Sequence, residues 1–99
     1  MTARPQGISE LEDYDAVFSA LAHRARRTIL SVLHARGGEM TSGAIAARFE
    51  HSWPTTSQHL KILLEAGLVT IQLRGRERIY RLETDHLMTV TRGWLSHFR

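Results

Sequence analysis

Residues 52–69 read SWPTTSQHLKILLEAGLV, and residues 74–82 read RGRERIYRL. In the first stretch Ser52 can cap a helix, Pro54 is tolerated in its first turn, and Gly67 can end it. From residue 69 onward apolar and polar positions alternate around Gly75, which is typical of a β-hairpin. These two stretches therefore predict a helix followed directly by a hairpin.

Four more helices are predicted around this unit, because apolar residues recur there at spacings of three and four. They span residues 9–21, 23–36, 41–49 and 85–98. Only a short break separates residues 41–49 from the helix that Ser52 caps, so these two helices form a candidate helix-turn-helix. The prediction is a single mainly α domain over residues 9–99, with the hairpin before its last helix and a flexible tail over residues 1–8.

Composition narrows the class of protein. A chain of 99 residues buries a modest core, so burial between two copies would add useful stability. The absence of cysteine excludes disulfides, thiolate metal sites and a cysteine nucleophile. No apolar stretch is long enough to span a bilayer, and the first residues lack a signal-peptide pattern. We therefore expect a cytoplasmic protein without a membrane partner.

The net charge of +3 is unevenly distributed along the chain. Residues 23–82 carry ten Arg and Lys against four Glu, whereas residues 1–22 carry one Arg against four Asp and Glu. A basic region is often only a solvated surface, but it also suits a polyanion such as nucleic acid. The charge pattern alone leaves both interpretations open.

The helix capped by Ser52 has two different sides. At 100° per residue, Thr56, Leu60 and Leu63 share one side. Gln58 and Lys61 lie opposite, among small hydrogen-bonding residues near the N-terminus. In a DNA major groove Gln can bridge adenine N6 and N7, and Ser and Thr adapt to several bases. The same residues could simply keep a surface helix soluble, so the neighbouring hairpin decides between the two interpretations.

The hairpin carries four arginines within eight residues, at positions 74, 76, 78 and 81. Several guanidinium groups would project from one narrow protrusion just after the polar helix. Arginine suits phosphates and narrow minor grooves. The alternative is a sheet edge protected by charge.

These residues resemble the ArsR type of winged helix-turn-helix repressors over about residues 14–82. The quoted stretches look like the recognition helix and the basic wing of that family, and Ile29 and Leu30 match its second helix. Two features depart from the family pattern: residues 23–25 read His-Arg-Ala, and Trp53 stands where a smaller polar residue is common. Trp53 could pack on the preceding helix or stack near a sugar.

The resemblance implies a homodimeric winged helix-turn-helix regulator that binds double-stranded DNA. It implies core positions for Leu60 and Leu63. The implied major-groove contacts are Ser52, Thr55, Thr56, Ser57, Gln58 and His59, and Lys61 continues the same face. The implied wing contacts to the DNA backbone or minor groove are Arg74, Arg76 and Arg78.

The first and last helices are amphipathic, and in the family the corresponding helices pack across a two-fold axis. Our interface candidates are Leu11, Tyr14, Phe18, Leu87, Val90, Trp94 and Phe98. Tyr14 and Phe18 could instead fill the core of a single chain. A two-fold dimer would place its recognition helices about 34 Å apart, which matches the half-sites of an imperfect palindrome.

Many relatives in this family sense metals, which raises a second possibility. His86 and His97 are eleven residues apart, as are two histidines in the zinc sites on the last helix of the family. The match is partial, because tetrahedral zinc needs four donors. We predict no cofactor, and a zinc- or nickel-responsive repressor using these two histidines remains the alternative.

Two other classes compete with a DNA-binding repressor. A winged helix can also bind protein, since fold does not dictate function. An enzyme is less consistent with the sequence, because no Ser-His-Asp spacing or glycine-rich phosphate loop is visible. We therefore predict a protein that is not an enzyme.

Overall fold

The structure is a computed structural model that describes residues 6–98, with side chains described from Glu10 onward. It contains five helices and a small sheet. In chain order the elements are α1 (Gln6–Leu21), α2 (Arg24–Ala35), β1 (Glu39–Thr41), α3 (Ser42–Arg48), α4 (Trp53–Glu65), β2 (Val69–Arg74), β3 (Glu77–Leu82) and α5 (Thr84–Leu95), with a 3₁₀ turn at Ser96–Phe98 after α5. The five predicted helices and the hairpin are confirmed.

Side-chain caps determine where the two central helices begin. The Thr41 hydroxyl accepts a hydrogen bond from the Ala44 amide at 3.0 Å, and the Ser52 hydroxyl accepts one from the Thr55 amide at 3.4 Å. These bonds satisfy amides that have no partner within the helix. Gly67 follows α4 with a φ of 75°, a left-handed conformation that glycine adopts without strain. The predicted bounds of α4 are therefore confirmed.

A third strand was missed from the sequence. β1 pairs antiparallel with β3, with Met40 opposite Tyr80, so the sheet order is β1-β3-β2. β1 has three residues, too few to show an alternating pattern, and its partner lies about forty residues later. Between β2 and β3, Gly75 has the φ of 62° that a two-residue hairpin turn requires at its first position.

The predicted start of the first helix was also wrong. We expected a flexible tail over residues 1–8 and a helix from Ser9, whereas α1 begins at Gln6. Gly7 lies in the first turn and does not stop the helix, because one glycine costs only about 1 kcal/mol relative to alanine. Residues 1–5 of the predicted tail lie outside the described residues.

One hydrophobic core joins the helices to the sheet. Its fully buried members include Leu33 of α2, Ile45 of α3 and Leu63 of α4, and Val17 of α1 is equally buried. This packing fixes α4 against the rest of the domain and leaves its opposite side in solvent. Among residues 6–98, the structure contains no helix both long enough and apolar enough to cross a membrane.

Candidate nucleic-acid interface

The free side of α4 carries the polar residues that the sequence placed there. Ser52, Thr55 and Gln58 are exposed, and Ser57 is half-buried. The Ser52 hydroxyl donates to Thr55 Oγ1 at 3.1 Å, so both hydroxyls also belong to the helix cap. Gln58 and Lys61 are exposed and have no hydrogen-bond or ion-pair partner among the residues whose side chains are described. Their polar atoms are therefore available to a ligand.

Thr56 does not belong to this surface. The family resemblance implied a major-groove contact, but the side chain is only 2% exposed and lies on the buried side with Leu60 and Leu63. A residue in the core cannot reach a base edge. This predicted contact is wrong, and the helical periodicity of the sequence already placed Thr56 on the packing side.

His59 lies at the boundary between α4 and α2, and it is half-buried rather than free. Its Nδ1 is 3.2 Å from the Arg26 Nη1, and its ring centroid is 4.6 Å from that of His23. Burial is the largest cause that lowers the pKa of His59, and nearby His23, Arg26 and His51 lower it further. The side chain is thus tied to α2.

Arg26 is part of a network that the sequence did not reveal. Its Nε donates to the Ala20 carbonyl at 2.8 Å, and its Nη2 donates to the Ser19 carbonyl at 3.3 Å. Arg27 donates to the Leu21 carbonyl at 2.8 Å. These carbonyls end α1 and have no partner within that helix, so the two arginines cap it. Arg26 therefore links the end of α1 to His59 on α4.

The pleat of the sheet divides the wing arginines between two faces. Arg74 follows Leu73 in β2, so the two side chains point to opposite faces, and Arg78 lies opposite Leu73 in the register. Arg74 donates to both carboxylate oxygens of Glu39, at 2.8 and 3.0 Å, and the Arg81 Nε lies 3.6 Å from the same carboxylate. Arg74 is therefore engaged in a surface ion pair with Glu39, and its contact with DNA stays a prediction.

The ion pair also shifts both titrations. The hydrogen bond from Arg74 is the largest cause and lowers the pKa of Glu39; desolvation opposes it, and the positive charges of Arg74 and Arg81 lower the pKa further. The same hydrogen bond raises the pKa of Arg74. Both groups stay charged at neutral pH, and the pair ties the hairpin to β1.

The other face of the wing borders an open groove beside the start of α4. It is lined by Trp53 and by Leu73, Arg76, Glu77 and Arg78 of the wing, together with Thr41 and residues of α3. Trp53 is 38% exposed and Leu73 is 69% exposed, and neither arginine has an ion-pair partner among the described residues. We group the groove residues Trp53, Leu73, Arg76 and Arg78 with Gln58, which is exposed on the free side of α4, and call this set the DNA-facing surface. The sequence left the place of Trp53 open, and the structure puts it on this surface.

A second exposed surface lies between α1 and α5. The Phe18 and Trp94 rings meet edge to face with centroids 5.1 Å apart, and the Phe98 ring lies 4.8 Å from that of Trp94. Leu11 and Tyr14 line the same groove, and Phe98 remains 69% exposed. We call Leu11, Phe18, Trp94 and Phe98 the α1–α5 face.

Two of the predicted interface residues have other positions. Val90 is 5% exposed and belongs to the core, so its predicted role in the interface is wrong. Val90 lies on the side of α5 that faces the core. The apolar pattern of the sequence did not distinguish this side from the exposed side of the helix. Leu87 is half-buried and borders a different hollow with Leu30 and Met88. Leu95, which we did not predict, is exposed near Phe98.

The structure does not bring together His86 of α5 and His97 of the 3₁₀ turn that follows it. The His86 ring lies beside Gly67, whereas the His97 Nδ1 is 3.1 Å from the Trp94 carbonyl oxygen. Eleven residues of helix span roughly 16 Å, so these rings cannot bind one ion within a single chain. Across residues 6–98, the structure shows no group of three or more side chains of the metal-binding types placed to hold an ion.

The fold and the exposed polar helix define the chain as a winged helix-turn-helix protein, and comparisons with known proteins agree. A family profile described as a helix-turn-helix domain matches residues 21–72. The transcriptional repressor SdpR of Bacillus subtilis (strain 168) is 38% identical over 82 residues, which cover 83% of this chain and 88% of that protein.

Two solved structures share the fold. An ArsR-like transcriptional regulator from Rhodococcus sp. RHA1 superposes with a TM-score of 0.78 at 28% identity, over 89% of this chain and 81% of that one. The homodimeric winged helix-turn-helix DNA-binding domain of a possible ArsR-family regulator from Mycobacterium bovis has a TM-score of 0.74 at 26% identity, over 98% and 90%. The chain therefore belongs to the ArsR-type family of winged helix-turn-helix transcriptional regulators.

Proposed function

We propose that the protein is a homodimeric repressor that binds a specific double-stranded DNA operator with an imperfect palindrome. One observation carries this proposal: the start of α4 and the unpaired arginines of the wing border the same groove. The wing arginines thus border the N-terminal end of the helix whose free side exposes Gln58. The proposed role is binding in the cytoplasm, where the chromosome is, and not catalysis.

On DNA, α4 would enter the major groove with its N-terminal half. Gln58 is the strongest candidate for base reading, because its exposed amide group can donate to N7 of an adenine and accept from the N6 amino group of the same base. Arg76 and Arg78 would contact the phosphates or the adjacent minor groove. Phosphate contacts fix the register on the duplex, and base contacts supply the sequence preference.

The dimer would form through the α1–α5 face. Burial of exposed apolar area yields roughly 25 cal/mol per Å², and aromatic rings contribute most of the area on this face. A second copy is the occupant we propose, since the related domain from Mycobacterium bovis is described as homodimeric. Two copies related by a two-fold axis would present two recognition helices to two half-sites. A dimer bound at a promoter blocks other proteins from the same DNA.

The proposal is tested by selecting bound fragments from genomic DNA and measuring affinity for the selected duplex against salt. We expect enrichment of a palindromic site and a linear fall of log K with log salt, with a slope set by the number of phosphate contacts. Equal affinity for all duplex sequences would reject the proposal of a specific operator. Association that is indifferent to salt, or directed to a protein, would reject DNA as the partner.

A further inference from the structure

The bond between Arg26 and His59 identifies the tautomer of the histidine. A guanidinium group has N–H donors and no acceptor, so at 3.2 Å the His59 Nδ1 must accept the bond. A neutral imidazole carries its proton on the other nitrogen, which is Nε2. Protonation of Nδ1 would set two N–H groups against each other, and the lowered pKa of His59 agrees with this.

His23 is held in the same tautomer by an independent contact. Its Nδ1 is 3.1 Å from the backbone amide nitrogen of Ala25, which can only donate. The neutral ring therefore also carries its proton on Nε2. The two rings are tilted by 48° with centroids 4.6 Å apart. Two neighbouring rings, one from the N-cap of α2 and one from α4, therefore each carry an N–H donor at Nε2.

We propose that His23 and His59 form a neutral two-donor site for one phosphate group of bound duplex DNA, with Arg26 as the residue that positions His59. The inference rests on the proposed DNA-binding function. His59 follows Gln58 by one residue, so it lies about 100° around α4 from the base-reading face. A helix in the major groove has its flanks beside the phosphate walls, where such a donor pair would be used.

The surroundings favour an anionic partner. Arg26 lies behind His59, and Arg24 and His51 line the hollow next to His23. Glu50 lines the same hollow as the one carboxylate there. An N–H donor forms a stronger hydrogen bond with a charged oxygen than with a neutral one. Phosphate oxygens are the anionic acceptors that duplex DNA offers.

The tautomers can be measured without DNA. Long-range ¹H–¹⁵N NMR at about pH 8, above the ordinary histidine pKa of about 6.5, separates protonated from unprotonated ring nitrogens. We expect His23 and His59 to show protonated Nε2 and unprotonated Nδ1, with assignments from the His23→Asn and His59→Asn spectra. A protonated Nδ1 on His59 in the wild type would overturn the proposal.

Arg26→Met isolates the positioning role. Methionine has a side chain of similar length but lacks the guanidinium N–H donors. We therefore expect His59 to become a mixture of tautomers. His23 should stay protonated on Nε2, because the Ala25 amide still donates to its Nδ1. Since Arg26 also caps α1, a general loss of structure would move both rings and is recognised by circular dichroism. An unchanged His59 in a folded variant would show that Arg26 does not position it. If the variant fails to fold, the wild-type spectrum decides.

DNA binding tests the donor pair itself. Gln places an amide near the position of Nε2, whereas Asn places it near Nδ1. We therefore expect His59→Asn to weaken binding about tenfold and His59→Gln to retain most of the affinity. His34→Asn, on the exposed last turn of α2, is the matched control. Equal affinities for wild type and His59→Asn would reject the phosphate contact.

Salt dependence separates this site from the arginines. A neutral donor releases no counterion, so the slope of log K against log salt should be the same in His59→Asn as in the wild type. Arg76→Ala should lower the slope by about one. A slope lowered equally by His59→Asn would show a charged ring and overturn the neutral tautomer. If the wild type bound no duplex at all, the proposed function would fail, whereas the tautomers would still be read by NMR.

Discussion

The DNA-facing surface and the α1–α5 face differ in what keeps their side chains exposed. On the first, the polar Gln58, Arg76 and Arg78, which water solvates well, stand beside two exposed apolar side chains, Trp53 and Leu73. On the second, Trp94 and Phe98 expose aromatic area that water solvates poorly. The polar groups of the first surface are therefore stable in water without a ligand, whereas the aromatic cluster of the second gains stability when another apolar surface covers it.

In each surface, some residues that the sequence predicted as members have other positions or contacts in the structure. Arg74 is paired with Glu39 on the far face of the wing, and Thr56 is buried under α4. Val90 is buried under α5. In each case the residue type suited the predicted role, but the side chain makes a contact within the chain that the sequence did not reveal, and burial removes Thr56 and Val90 from their surfaces.

The largest expected effect comes from breaking the α1–α5 face with Phe98→Asp. A charge in an apolar interface should give a monomer, and affinity for a palindromic operator should fall on the order of 100-fold because the two half-sites are no longer bound together. Sedimentation velocity and fluorescence anisotropy measure the two effects. Thr89→Asp, exposed on the other side of α5, is the control and should stay dimeric. A Phe98→Asp protein that remains a dimer would place the interface elsewhere.

The second largest effect distinguishes the arginines on the two faces of the wing. The double variant Arg76→Ala and Arg78→Ala should lose about tenfold to a hundredfold in DNA affinity, with a salt slope lower by about two. The matched pair, Arg74→Ala and Arg81→Ala, removes the same charge from the face that Glu39 occupies. We expect much smaller changes there. Both affinities are measured by fluorescence anisotropy at several salt concentrations. Equal losses in the two double variants would show that the two faces of the wing contribute equally to DNA binding.

A smaller effect distinguishes base reading from phosphate binding on α4. Gln58→Ala should change the preference among operator variants by about 1–2 kcal/mol, because a bidentate base contact is lost. Lys61→Ala, also exposed on α4, should weaken all duplexes alike. Competition binding with single-base operator variants measures both. Unchanged preferences in Gln58→Ala would move the base-reading position to another residue.

The smallest effect is a loss of stability in acid from His59. Its pKa is lowered by burial first and by His23, Arg26 and His51, so the unfolded chain binds this proton more readily than the folded one. Stability is therefore intact above the ordinary pKa of about 6.5 and falls as the pH drops below it. Screening keeps the effect under about 1 kcal/mol. His59→Asn should show a smaller drop in Tm between about pH 8 and pH 5, and an equal drop would exclude His59 as the cause.

Much of the fold could be predicted because its signals are local. The caps at Thr41 and Ser52, the glycine after α4 and the glycine of the hairpin turn each act within a few residues. β1 could not be predicted, since three residues carry no periodicity and their stability comes from pairing with β3. For the same reason the bond between Arg26 and His59, 33 positions apart, left no mark in the sequence.

The sequence by itself determined the helices, the hairpin and the chemical types of the two surfaces, because hydrophobic period, caps and turn residues act along the chain. Only the tertiary structure decided which members of each set are available to a partner. Availability depends on contacts between distant segments: Glu39 pairs with Arg74, the core encloses Thr56 and Val90, and Arg26 of α2 contacts the Nδ1 of His59 but not its Nε2. A polar atom can bind a ligand only where such a contact has not already satisfied it.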